Sequence, residues 1–72
     1  MNKEQFLTEL TDVLQLEETV NESTNLKELE EWDSMAHLGV ISMFDIEFSK
    51  NITNAELKDV EMVSDLMVLA GL

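Results

Sequence analysis

The chain has no cysteine, no proline and no arginine, and only two of its 72 residues are glycine. Without cysteine there is no disulfide to staple the fold and no thiolate to power a reaction, a composition that fits a reducing compartment. Scarce proline and glycine remove much of the punctuation that β-turns need, which favours helices over a sheet. Without arginine, and with only four lysines, it lacks the clustered cations that displace counterions from nucleic acid. The longest apolar runs, such as Met67 to Leu72, are far too short to cross a bilayer. Met1-Asn2-Lys3-Glu4-Gln5 lacks the basic and apolar regions of a signal peptide. A cytoplasmic, monomeric chain that binds neither nucleic acid nor membrane is expected.

What is abundant is negative charge and apolar side chains. Sixteen acidic residues against four basic ones give a net charge of -12, and 44% of the chain is hydrophobic. An anionic membrane would repel such a chain, whereas a protein with a basic patch would be steered toward it. The length suits a single domain spanning residues 1–72, near the lower limit at which one apolar core sustains itself.

Periodicity predicts an all-α fold, a small four-helix bundle of three main helices plus a short third one. Asn2 and Gln5 have the spacing of a capping box, and Phe6, Leu7, Leu10, Val13 and Leu14 then recur at helical intervals until the pattern fades near Leu16. A long loop follows, with Leu26 and Leu29 expected to tuck onto the core. Asp33 is a good N-cap for a second helix running from Ser34 to about Phe48, where Ser49-Lys50-Asn51 breaks it. A short helical piece is expected from about Thr53 to Lys58, and a last helix from Glu61 to Ala70, with Gly71 at the C-terminal cap. The expected core is Phe6, Leu10, Val40, Phe44, Phe48, Val63 and Leu66.

The second helix is apolar nearly all round. Val40, Ile41, Phe44 and Phe48 form one broad face, while Met35, Leu38, Gly39, Ser42 and Ile46 fall largely on the other. Such a helix is either covered on both sides, here by the long loop, or turns one apolar side to a partner. Gly39 costs about 1 kcal/mol relative to alanine in mid-helix, so close packing within the bundle or close approach by a partner is expected there. Ser34 opens this helix on the side shared with Leu38 and Asp45. Serine is common in a first turn, but a hydroxyl there is exposed, and the amides and positive dipole end of the helix favour an attached phosphate.

Asp33-Ser34-Met35 resembles the Asp-Ser-Leu signature of acyl carrier proteins and of their relatives that carry peptidyl or D-alanyl groups. The similarity extends without an obvious gap from Trp32 to about Leu69. Phe48 matches the aromatic residue closing the second helix, Ile52 opens the connection to the short helix, and Val60 and Val63 take the apolar positions that follow. The resemblance implies a non-enzymatic carrier whose Ser34 accepts 4′-phosphopantetheine from coenzyme A through a phosphopantetheinyl transferase, and whose arm holds an acyl or aminoacyl group as a thioester. It implies as partners a loading ligase and a downstream transferase or synthase with basic docking patches. By the same carry-over, Asp33 is a motif residue and helix cap, Met35 and Leu38 supply apolar docking contacts, and Asp33 and Asp45 acidic ones; Ser42 lies on the same outer face.

Some positions depart from the carriers of fatty-acid synthesis. Ala36, Gly39 and Ile46 stand where those are often acidic, His37 brings an imidazole close to Ser34, and Thr53 stands where many relatives have proline. These departures point to a specialised pathway. The Trp-Asp-Ser beginning resembles carriers linked to polysaccharide modification or secondary metabolism.

Other chemistry has less support. His37 is the single histidine, too little for a metal site or a catalytic triad, and is expected as a partly buried helix residue. Glu28, Glu30, Glu31 and Asp33 lack the alternating-ligand and glycine pattern of a calcium loop. Glu56, Asp59, Glu61 and Asp65 are expected as a solvated face. The reading that competes with a carrier is an unmodified acidic helical adaptor, binding a basic protein through the second helix.

Overall fold

The structure, a computed structural model, describes residues Met1–Leu72. The first three α-helices each begin where the side chain of the preceding residue satisfies a free amide of the first turn. In α1 (Lys3–Leu14), Asn2 Oδ1 accepts from the Gln5 N–H at 2.8 Å, and Gln5 Oε1 accepts from the Asn2 N–H at 3.0 Å. The helix places Phe6, Leu10 and Leu14 in the core at intervals of four residues. It stops when Gln15 turns left-handed (φ 57°), and the Gln15 and Leu16 amides close back on the Asp12 and Thr11 carbonyls.

The connection to the next α-helix is long but fastened. Val20 and Leu26 are buried, with Leu16 and Leu29 half-buried against the core. A single 3₁₀ turn, Leu26–Glu28, interrupts it, capped by Asn25 Oδ1 accepting from the Lys27 N–H at 3.0 Å. Thr11, the one buried polar residue, donates its hydroxyl to the Leu7 carbonyl at 2.7 Å and accepts from the Val20 N–H at 3.0 Å. The connection also pairs with the approach to the last helix: Leu26 N–H donates to Glu61 O, Val63 N–H to Thr24 O and Ser64 N–H to Glu22 O, around an isolated antiparallel bridge between Asn25 and Met62.

The remaining helices are α2 (Ser34–Phe48), α3 (Asn54–Lys58) and α4 (Val63–Ala70), so the fold has four α-helices and no strand. Ser49 ends α2 in a left-handed conformation (φ 54°), its amide donating to the Asp45 and Phe44 carbonyls. Thr53 Oγ1 caps α3 through the Glu56 N–H at 3.2 Å. Gly71 (φ 80°) ends α4, and Lys50 Nζ donates to the Leu69 carbonyl at 3.1 Å. No helix is long and apolar enough to cross a membrane.

Sixteen buried apolar residues form one contiguous core. Phe6 and Phe44 are fully buried, with ring centroids 6.2 Å apart in an edge-on arrangement. Leu10, Val40, Val63 and Leu66 are buried as expected. Phe48 is not: it closes α2 at the rim, half-buried, its ring 5.3 Å from Phe44 and 6.1 Å from Phe6. The buried residues of α2 are Ala36, Val40, Met43 and Phe44, so its inner face is rotated away from Ile41 and Phe48 toward Ala36 and Met43. An all-round apolar helix gives periodicity little to choose between, and contact with α1 decides the rotation.

Glu56, Asp59, Glu61 and Asp65 are exposed as expected, but Asp65 does more: its Oδ2 accepts from the Glu61 N–H at 3.0 Å and the Met62 N–H at 3.1 Å, which ties the approach to α4 to its first turn. These two donors, that of Glu61 first, hold its carboxyl below the ordinary aspartate range, against a small opposing effect of burial.

Candidate functional site

The site is the start of α2 and the helix face that leads away from it. Trp32 N–H bonds to Leu29 O at 3.2 Å and Asp33 N–H to Glu31 O at 3.0 Å, so the chain enters the helix through a tight turn. Asp33 is extended (φ -123°, ψ -170°), and its Oδ1 accepts from the Ala36 N–H at 3.0 Å. Its carbonyl takes the His37 N–H at 2.9 Å, the first bond of the helix. Ser34 is therefore the first helical residue, and it is exposed. The Ser34 and Met35 amides have no carbonyl one helical turn behind them, so the partial positive charge of the helix end collects beside the Ser34 hydroxyl.

Beyond Ser34 the outer face of α2 is bare. Met35 is 81% exposed, Leu38 61% and Ile46 76%, and Ser42 and Asp45 are exposed with them. Positions 35, 38, 42 and 46 follow helical spacing and make one stripe, with Asp45 beside Leu38 two turns along. The long connection does not cover it, because its anchors Val20 and Leu26 sit in the core. Ser34, Asp33, Met35, Leu38, Ser42 and Asp45 thus share one accessible surface.

Gly39 behaves differently. A Cβ there would lie 2.7 Å from Val13 Cγ1, so this glycine lets α1 pack closely on α2. Of the two reasons for a mid-helix glycine, packing within the bundle is the one the geometry supplies.

A shallow cleft of about 220 Å³ separates the end of α1 from the start of α2, lined by Val13, Leu14, Gln15, Glu31, Asp33, Met35 and Ala36. It gives the site one half-apolar flank with two carboxylates. Trp32 and His37 close the other flank edge to face, their ring centroids 4.6 Å apart. His37 is half-buried, and its Nε2 is shielded from solvent with no hydrogen-bond partner, which makes it a packing residue here rather than a base held against Ser34. No cluster of side chains is arranged to hold a metal ion.

Two residues named in the sequence pattern were given no part in the site there. Val13 shapes both the α1–α2 contact and the cleft, and Trp32 packs on His37. Trp32 lies immediately ahead of the capping Asp33, a placement that could have flagged it as a staple for the helix entry. No protein-family model, no curated protein and no solved structure matches this chain.

Proposed function

We propose that the chain is a specialised acyl carrier protein whose Ser34 hydroxyl bears a 4′-phosphopantetheine arm, placed there from coenzyme A by a phosphopantetheinyl transferase. The observation that carries the reading is one arrangement: an exposed serine as first residue of an Asp-capped helix, followed by the uncovered stripe Met35, Leu38 and Ile46. When bound, the arm supplies a terminal thiol that holds an acyl or aminoacyl group as a thioester, chemistry that a chain without cysteine cannot supply itself.

The residues around Ser34 fit a phosphodiester. Its hydroxyl is open to solvent, and the free amides and dipole of α2 oppose the repulsion that Asp33, Glu30 and Glu31 would exert on added negative charge. Asp33 spends one carboxylate oxygen on the Ala36 N–H and so fixes the helix entry on which the Ser34 position depends. Met35 and Leu38 would enter an apolar seat on a loading ligase, transferase or synthase, while Asp33 and Asp45 meet its basic rim. Activation and transfer would belong to those enzymes and not to this chain.

Intact mass tests the reading, after incubation with coenzyme A and a broad-specificity phosphopantetheinyl transferase. The expected outcome is a single addition, absent in Ser34→Ala. No addition, or one that persists in Ser34→Ala, overturns it. The exposed stripe also supports an unmodified adaptor that binds a basic protein through α2, and a chain that gains no mass but still binds such a protein would be that adaptor.

A further inference from the structure

A second cleft, of about 210 Å³, runs along the seam between α1 and α2 and is lined by Glu9, Val13, Gly39, Ser42, Met43, Ile46 and Glu47. We propose that it is a socket for an arginine side chain of a partner protein.

The cleft combines an apolar trough with an acidic rim. Val13, Met43 and Ile46 supply the apolar walls, and Gly39, against which Val13 packs closely, contributes backbone to the lining. Glu9 on α1 and Glu47 on α2 both line it, and both are exposed. Neither is neutralised from within the chain. The ion pairs are Lys3 with Glu22 and Lys27 with Glu61, while Lys50 is held by the Leu69 carbonyl and Lys58 lies in α3. Two uncompensated carboxylates thus border an apolar floor, and a cation seated there would be attracted to both.

The trough selects the kind of cation. A bare metal ion would gain nothing from Val13, Met43 and Ile46. An arginine lays its aliphatic stem on such a surface and presents a planar fork of donors that can serve two carboxylates together. A lysine offers a compact, strongly hydrated charge, which matches two separated acceptors less well. A second copy of this chain is excluded as occupant on charge, since it brings -12 against -12 and no arginine. Arginine anchors seated in pockets are a common source of binding energy at protein interfaces. The socket does not require Ser34 to carry anything, so it stands or falls separately from the carrier reading.

The test uses ¹⁵N-labelled Ser34→Ala protein titrated with propylguanidinium chloride, against guanidinium chloride and sodium chloride at matched ionic strength. The expected result is a set of saturable amide shifts at Glu9, Val13, Gly39, Met43 and Glu47, produced by propylguanidinium alone. The affinity should fall several-fold in the double variant Glu9→Gln, Glu47→Gln, whose surface changes leave the helical spectrum intact. Equal shifts across Glu17, Glu18, Glu56 and Asp59 would mean a general counterion atmosphere and overturn the socket. So would identical responses to guanidinium, or self-association through this face in sedimentation. A chain that binds propylguanidinium as described but gains no mass from coenzyme A keeps the socket and loses the carrier; the converse pattern removes only the socket.

Discussion

Replacing Gly39 by alanine sets two effects of similar size against each other, and the contact with Val13 decides the sign. Mid-helix alanine is more favourable than glycine by about 1 kcal/mol. The new Cβ, however, would lie 2.7 Å from Val13 Cγ1, roughly 1 Å inside ordinary carbon–carbon contact. Val13 cannot easily swing away, since a β-branched residue in a helix has one strongly preferred rotamer. Overpacking of this kind costs about 1–3 kcal/mol. Gly39→Ala is therefore expected to leave stability unchanged or lower it by up to about 2 kcal/mol. In a Val13→Ala background the offending methyl is gone and the nearest side-chain atom is the residue-13 Cβ at 4.0 Å, an ordinary contact. There the same substitution should stabilise by about 1 kcal/mol. Urea unfolding followed by circular dichroism at 25 °C reads the four corners of the cycle; with a slope of about 1 kcal/mol/M, the midpoint should rise by about 1 M in the Val13→Ala background and hold or fall in the native one. Equal stabilisation in both backgrounds would show that α1 does not approach Gly39 this closely.

Other perturbations give separate readings. Thr11→Val keeps the shape of a buried residue but leaves the Val20 amide without its acceptor, so urea unfolding should show a loss of about 1–3 kcal/mol. Asp65 has its folded-state pKa lowered, so its contribution is present above the unfolded value of about 3.9 and lost as pH falls through the lower folded value. Asp65→Asn should accordingly be less stable than the parent at pH 7, with the gap closing below about pH 4 in parallel thermal melts. Leu38→Glu, on the exposed stripe, should keep the helical circular dichroism spectrum while weakening group transfer to partner enzymes at least several-fold in a loading assay; collapse of the spectrum would place Leu38 in the core.

The legibility of the fold followed how strongly each position was constrained by local chemistry. Asp33 and Ser49 bracket α2 where expected because a capping carboxylate and a polar break bound an uninterrupted apolar run. The end of α1 was less plain, since glutamine is a good helix former and nothing local marks Gln15 for a left-handed turn. The inner face of α2 was misjudged around Phe48 because all sides of the helix are apolar, so its orientation is set by tertiary contacts with α1, among them Phe6–Phe44 and Val13–Gly39. Asp65 looked like one acid among many, although its place three residues after Met62 is that of a capping side chain. At the candidate site, Ser34, Asp33 and the stripe were readable because a cap and helical spacing are local properties. The cleft along the α1–α2 seam was not, because it exists only once two distant segments meet.

The backbone pairing of residues 22–26 with 61–64 joins segments roughly forty positions apart in the chain. Such a closure gains nothing until both ends have docked, so it belongs to the late part of folding, and the Leu26, Val63 and Ser64 amides should exchange with solvent only through large-scale opening. Its effect on Ser34 is mechanical. The chain ahead of the serine is moored at Leu26 and Leu29, and the Trp32–Leu29 bond, the Trp32–His37 contact and the Asp33 cap carry that anchorage into the start of α2, so Trp32 fluorescence should report any loosening of the helix entry.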